Sequence, residues 1–484
     1  MARRFTAQQG YDTLLLTARP WVIGLTLAKH GGLSLLLFGP PLIWAAVEGS
    51  VALATALALS SLAGVIPAVL TLRKPLPRDL RQVEAMISLA LMFCLAAVFS
   101  MPAFAALGMT PISGLFEGMS AITTTGLSVA TNPDDWPFAG HVLRSWMQWC
   151  GGLAMATAVL ALILGPGPAS RRLGQAGIDQ GDRIASTRNK ARQLLLAYVL
   201  LTLCSGLALA LTTPRIAEGL VLALSAISTG GFAPRSTSLA EYSLLTQSLV
   251  IAVSLLGALS LLFFALAARG DVKGAWKLGS VQRLIWAVTV FGGLYAVGLA
   301  STGTAVSDIW PKLLDLWSGL STAGFSVGAM PLAGPALVLF LVVMLAGGDE
   351  GSTAGGLKLS RVALLLRAAR HALATPRLPD SAVAPLRRNG SPVSQRRVTA
   401  LLALLLLYTA TLLVVWCAFL AYGYAPGPAL FDTVSALSTV GLSSLVGPEL
   451  PPALQLLLTF AMWLGRLEFV AVLLIFLPRS WHHS

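Results

Sequence analysis

The sequence predicts an all-α polytopic membrane protein, with two extra N-terminal transmembrane helices and then four pseudo-symmetric repeats, each a helix, a re-entrant helix and turn, and a second helix, around one axis. Three observations predict it. The 484 residues are 56% hydrophobic and 11% charged, against about 25% charged in an average soluble domain, which excludes an ordinary cytosolic enzyme. Ten apolar runs are long enough to cross a bilayer. Four connections between those runs carry the same short Ser/Thr/Gly motif.

In order, the apolar runs lie near Trp21 to Val47, Val51 to Leu72, Ala85 to Leu107, Val142 to Leu164 and Leu194 to Leu211. They continue with Ser243 to Ala268, Leu284 to Ala300, Ala336 to Ala372, Ala400 to Tyr422 and Pro452 to Leu477. An even number of crossings puts both termini on one side, and the basic residues name that side. Alternate connections hold Arg73, Lys74, Arg78 and Arg81; then Arg171, Arg172, Arg183, Arg188, Lys190 and Arg192; then Arg269, Lys273, Lys277 and Arg283; then nine from Lys358 to Arg397. The intervening connections hold Arg144, Arg215, Arg235 and Lys312. The positive-inside rule therefore makes the first set, and both termini, cytoplasmic, in the cytoplasmic (inner) membrane. The net charge of +13 is accounted for without a nucleic-acid partner.

Arg3 and Arg4 are followed by no short apolar core with a small-residue cleavage site, so no removed signal peptide is expected. Cys94, Cys150, Cys204 and Cys417 have no paired spacing and read as small buried hydrophobes. The five histidines, His30, His141, His371, His482 and His483, are scattered without metal-ligand spacing.

Each of the last four outward connections contains an apolar segment too brief to span, followed by S-[AG]-[IL]-[ST]-T-x-G-[LF]-[SA]: Ser120 to Ser128, Ser225 to Ala233, Ser318 to Ser326 and Ser435 to Ser443. Their glycines, Gly126, Gly231, Gly324 and Gly441, are 105, 93 and 117 residues apart, each room for two spans and their loops. The units read as 1–77 (N-terminal extension), 78–168, 169–272, 273–395 and 396–484. Non-helical backbone at membrane depth must be buried in protein or line a watery cavity. Four such turns around one axis can present carbonyls to a dehydrated cation. The partially negative C-termini of the helices before them favour cations over anions.

These motifs resemble the Trk/Ktr/HKT superfamily of potassium transporters, and within it the Trk-type membrane subunit. The resemblance extends to Arg78 to Arg81, Gln148 to Gly152, Thr213 to Ile216, Gly351 to Lys358 and Gly465 to Glu468. It implies potassium uptake by a non-enzyme, with K+ as substrate and no covalently bound cofactor. The implied selectivity filter is Thr123, Thr124, Thr125 and Gly126; Ser228, Thr229, Gly230 and Gly231; Ser321, Thr322, Ala323 and Gly324; and Ser438, Thr439, Val440 and Gly441. Glycine at all four positions implies preference for potassium over sodium, since serine in the first repeat goes with sodium in this superfamily. The implied partners are a second copy of the chain and a cytosolic ring of nucleotide-binding regulatory subunits of the TrkA type. The basic stretch Arg361 to Arg397 suits such an acidic partner, and equally anionic lipid.

The run from Ala336 to Ala372 is too long for one crossing and is broken by Gly347, Gly348, Asp349, Glu350, Gly351, Ser352, Thr353, Ala354, Gly355 and Gly356, starting roughly 16 Å into the helix. Arg466 lies at similar depth in the last run, where a charge costs about 2.5–3.5 kcal/mol and must face the interior with a partner. The resemblance implies that this loop, Lys358 and Arg466 form a constriction, or gate, below the filter. The family usually has small residues where Asp349 and Glu350 stand. Their carboxylates are expected to pair with Arg466 or Lys358, or to bind a passing cation.

Glu117, Asp315 and Asp432 each precede a motif glycine by nine residues, with Leu222 in the second repeat. They read as complements to a helix N-terminus, or as a cation-attracting vestibule. Rival classes fare worse. An intramembrane hydrolase would need a His or Asp partner for one serine, and a structural protein has no reason to bury four polar turns. A sodium or proton-coupled transporter of the same fold stays open.

Overall fold

The protein is described here from a computed structural model covering residues 17–77, 80–163, 180–377, 379, 385–388 and 391–481. Arg3, Arg4, Arg78, Arg171, Arg172, the boundary at 168/169, His482 and His483 lie outside the described residues. Helices account for nearly all regular structure. The N-terminal part is α1 (Pro20–His30), α2 (Leu33–Glu48) and α3 (Val51–Thr71). Then come α4 (Gln82–Ala106), α5 (Pro111–Ile122) and α6 (Phe138–Ile163), followed by α7 (Gln180–Ala210), α8 (Ile216–Ile227), α9 (Leu244–Gly257), α10 (Leu261–Ala267) and α11 (Val272–Lys277). The third group is α12 (Ser280–Ser301), α13 (Val306–Ser321), α14 (Gly334–Ala346) and α15 (Leu359–Ala374). A two-residue antiparallel ladder, Arg387–Arg388 with Ser391–Pro392, precedes α16 (Gln395–Ala421), α17 (Pro426–Leu437), α18 (Pro452–Arg466) and α19 (Val470–Phe476).

Local chemistry sets several boundaries. Pro20, Pro111, Pro426 and Pro452 open their helices, where a locked φ and a missing N–H cost nothing. Thr110 caps α5 by accepting the Ser113 N–H at 3.2 Å. α1 and α2 meet at Gly31, which packs so tightly on Gly64 of α3 that a β-carbon on either would collide with the other's carbonyl.

The long helices turn apolar side chains outward, as Leu207, Val297, Leu406 and Val414 do. Among the described residues six stretches are long and apolar enough to cross a membrane, and α9 with α10 makes a seventh. The chain is a polytopic membrane protein. The short helices α5, α8, α13 and α17 are enclosed by the long ones. Three clusters of buried side chains surround them: one with Phe116, Ile122, Leu437 and Trp463, one with Tyr198, Leu222, Ile227 and Phe325, and one with Leu316, Phe340, Phe431 and Val440.

Three expectations need correction. The run Ser243 to Ala268 is not one straight crossing, because α9 and α10 meet at 87°. The run Pro452 to Leu477 stops at Arg466, and Glu468 and Phe469 take φ of 56° and 65° before α19 resumes. Cys204 and Cys417 are exposed on the outer faces of α7 and α16, where a thiol behaves as one more apolar group toward lipid; Cys94 and Cys150 are partly buried.

Candidate functional site

The four motif segments share one backbone conformation. At the end of α5 the Thr125 N–H reaches back to Ser120 O (2.9 Å) and the Thr124 N–H to Ala121 O (3.0 Å). This is the paired hydrogen-bond closure of a Schellman C-cap. The same two bonds run from Gly230 and Thr229 to Ser225 and Ala226, from Ala323 and Thr322 to Ser318 and Gly319, and from Val440 and Thr439 to Ser435 and Ala436. The left-handed residue of such a cap is ordinarily glycine, yet here it is threonine each time: Thr124, Thr229, Thr322 and Thr439 have φ of 54°, 53°, 55° and 51°. Two residues on, Gly126, Gly231, Gly324 and Gly441 also have positive φ, from 70° to 97°.

The glycines close a ring. A β-carbon on Gly126 would collide with Gly230 O, one on Gly231 with Ala323 O, one on Gly324 with Val440 O, and one on Gly441 with Thr125 O. Each glycine thus abuts the carbonyl just before the next glycine, and the fourth returns to the first. The threonine row is fully buried. No donor among the described residues reaches the carbonyls of Thr124, Thr229, Thr322 or Thr439, and the hydroxyls of Thr124 and Thr439 and of Ser318 are also without partners. Buried acceptors left in this state are rare, and a ring of them calls for a ligand.

Outside the ring, side chains fix the segments. Gln148 of α6 donates to Gly230 O and accepts the Phe232 N–H at 3.3 Å. Glu117, Asp315 and Asp432 do not serve helix starts, and they line no open vestibule: each sits inside its helix, is at most 3% exposed, and accepts N–H groups from the non-helical segment leaving its glycine. Asp432 takes those of Ser444, Leu445 and Val446, all at 2.8 Å. Asp315 takes Val327 (2.6 Å), and Glu117 takes Val129 (3.3 Å) and the Ser128 hydroxyl (2.9 Å). The second repeat replaces this device. Buried Arg144 binds Glu117 at 3.2 Å, donates to Ala233 O at 3.2 Å, and stacks between Trp136 and Phe232. In the connections between α5 and α6 and between α8 and α9, Asp134 accepts the Ser236 N–H (2.7 Å) and hydroxyl, which hold its carboxyl below the usual range. Sequence reasoning counted Arg144 among stray outer charges, although its position in the apolar run Val142 to Leu164 carried the same signal that singled out Arg466.

The glycine-rich segment between α14 and α15 lies against three of the four helix ends. The Thr353 hydroxyl bonds Ile227 O and Gly257 O, both at 3.0 Å, the Gly355 N–H donates to Thr322 Oγ1 at 2.7 Å, and the Gly356 N–H donates to Ser438 O at 3.0 Å. Arg466 is 2% exposed and donates to Thr353 O at 2.8 Å, while its Nε and second Nη have no hydrogen-bond partner among the described residues. Lys358 is also buried and donates to Ala354 O. The expected carboxylate partners are therefore corrected. Asp349 pairs with Arg283 at 2.6 Å, Glu350 with Arg361 (3.4 Å) and Arg397 (3.6 Å), and Glu468 with Arg361 (2.7 Å). Carbonyls, which a bent loop has to spare, serve the two buried cations instead.

A family model described as TrkH, cation transport protein, matches residues 93–276 and 275–483. The chain is 28% identical over 399 residues to the Trk system potassium uptake protein TrkH of Salmonella typhimurium, covering 77% of this chain and 80% of that one. It is 25% identical over 407 residues to an uncharacterized cation transporter of Methanocaldococcus jannaschii, covering 83% of each. The crystal structure of the potassium transporter TrkH from Vibrio parahaemolyticus shares the fold, with a TM-score of 0.81 over 95% of this chain and 99% of that chain at 22% identity. Since the family model spans everything from within α4 to α19, the chain belongs to the TrkH family of cation transport proteins.

Proposed function

We propose that the chain takes up potassium across the cytoplasmic membrane through the ring formed by Thr123–Gly126, Ser228–Gly231, Ser321–Gly324 and Ser438–Gly441. The observation that carries this reading is the closed contact ring, with its buried row of four threonine carbonyls that no donor among the described residues reaches. Carbonyl oxygens replace the water shell of an alkali cation without the desolvation cost of fixed carboxylates. The relatives named as potassium uptake proteins support the choice of ion. The segment Gly347–Gly356, held by Lys358 and Arg466, acts as the gate: it lies across three helix ends, and two buried positive charges there oppose cation passage.

In this reading the units 78–168, 169–272, 273–395 and 396–484 each supply one quarter of the ring, and 1–77 is an added pair of spans. Both termini and the basic connections face the cytoplasm. The subunit is a homodimer and docks a TrkA-type nucleotide-binding ring on that face; nucleic acid has no part. Liposomes holding only this protein test the core claim. Potassium is expected to outcompete sodium for flux, and equal competition by the two ions would remove the assignment of the ring as a potassium filter.

A further inference from the structure

Between the N-terminal helices and α4, α6 and α7 lies a cavity of about 950 Å³. Its wall is apolar, with Leu37, Phe93, Phe99 and Leu153 prominent, and it reaches inward to Ile122, the last residue of α5. Three polar side chains in the wall are satisfied by the protein itself. The Ser34 hydroxyl donates to Ser61 O (2.7 Å), Thr157 to Leu153 O (2.9 Å), and His30 Nδ1 lies against Thr26 O (2.7 Å). A cavity of this lining holds no water chain, because water needs two to four polar partners.

Arg192 is the charged side chain in the cavity lining. It is exposed and pairs with no acidic residue among the described residues. His30 also lines the cavity, and its neighbour Lys29 donates to Leu72 O at 3.3 Å, next to Arg73 beyond the end of α3. Arg192 and Arg73 belong to the basic connections assigned to the cytoplasmic side, while Lys29 and His30 lie in the first apolar run.

We propose that this cavity is a binding site for one anionic phospholipid, its acyl chains inside and its phosphate at Arg192. An apolar chamber with a basic mouth fits a molecule with an apolar tail and an anionic head, and discriminates against a zwitterionic one. The inner end has a consequence. A β-carbon on Gly151 of α6 would collide with Ile122 O, so this helix and the foot of the first ring segment touch directly. A chain packed on Ile122 therefore bears on the segment four residues before Gly126.

The test uses the full chain in nanodiscs containing phosphatidylglycerol and phosphatidylcholine, with native mass spectrometry of the lipid retained after detergent exchange. Wild type is expected to hold one phosphatidylglycerol more than Ala154→Trp, which fills the cavity. Arg192→Gln is expected to lower the preference for phosphatidylglycerol about fivefold, the loss of one basic contact. Equal retention of the two lipids by wild type overturns the proposal. So does an unchanged lipid count in Ala154→Trp, or cross-linking that finds another segment of the chain in the cavity. Should the bulky variant fail to fold, Arg192→Gln at its exposed position decides alone, and unchanged discrimination overturns the proposal.

Discussion

Thr124, Thr229, Thr322 and Thr439 are β-branched residues held near φ 53°, a conformation that costs an L-residue about 1–2 kcal/mol. Four repetitions of one strained residue mark a functional constraint: the cap turns the chain so that the carbonyl after each helix is left without a helical donor. The glycine two residues later is needed for a different reason, since its β-position is filled by a neighbouring carbonyl. Gly126→Ser is therefore expected to fold, to push the Gly230 carbonyl out of line, and to lower potassium preference over sodium about tenfold, or ~1.4 kcal/mol; competition flux in liposomes measures it, and unchanged selectivity would remove Gly126 from the filter. A second expectation follows from the corrected ion pair. Arg283 and Asp349 meet at 2.6 Å with Asp349 2% exposed, so a double-mutant cycle to Ala on unfolding free energy should show a coupling of about 0.5–3 kcal/mol. A coupling near zero would mean that Asp349 is held by the loop alone. That Arg466 and Lys358 must find partners was legible in the sequence, because an isolated charge in an apolar run has no cheap alternative. Which partners was not: Asp349 is 66 residues from Arg283, and a carbonyl acceptor leaves no trace in residue identity.

At the scale of elements, the bend between α9 and α10 and the glycine-rich segment satisfy each other. Breaking a helix frees backbone groups that lipid cannot satisfy. Here Asp349 N–H donates to Ala258 O (2.9 Å), Thr353 N–H to Gly257 O (3.3 Å) and Leu261 N–H to Gly351 O (3.0 Å). The break at Gly347 was legible as glycines and carboxylates inside an apolar run, whereas Ser243 to Ala268 contains only Gly257 and no proline to mark its bend. The partner segment imposes that bend through tertiary contacts. Deleting several residues between Glu350 and Gly355 is therefore expected to have two effects: higher resting cation flux, as the segment leaves the helix ends, and lower thermal stability, as the α9/α10 corner loses its partners. Flux and unfolding measured on the same preparation separate the outcomes. A folded deletion variant with wild-type flux would deny the segment its gating role, and one with raised flux but unchanged stability would show that the corner finds other partners.

At the scale of the whole molecule, the ring is assembled from segments spread between Thr123 and Gly441, and its closing contact joins the first to the last, Gly441 against Thr125 O. No part of the chain lacking one of the four segments closes that ring, so a cation bound within it binds the folded state and not the unfolded one. Such a ligand stabilises the fold by RT ln(1 + [L]/Kd), about 2.7 kcal/mol at a hundred times Kd. The four motif copies made this arrangement legible, because repetition in polar turns has no packing explanation. The helix ends' shared conformation was hidden, since threonine is a poor left-handed residue by propensity and only the hydrogen-bond pattern reveals it. The purified protein is thus expected to unfold several degrees higher in potassium than in a large organic cation at equal ionic strength, with sodium giving less protection. Gly441→Ser, whose side chain would overlap Thr125 O at a φ of 97°, should lower the unfolding temperature in the organic cation and, beyond that, remove the potassium increment. Scans at one fixed rate keep the comparison valid if unfolding is irreversible. Equal unfolding temperatures in all three cations, or an undiminished potassium increment in Gly441→Ser, would show that the ring binds no cation and that its unpaired carbonyls have another use.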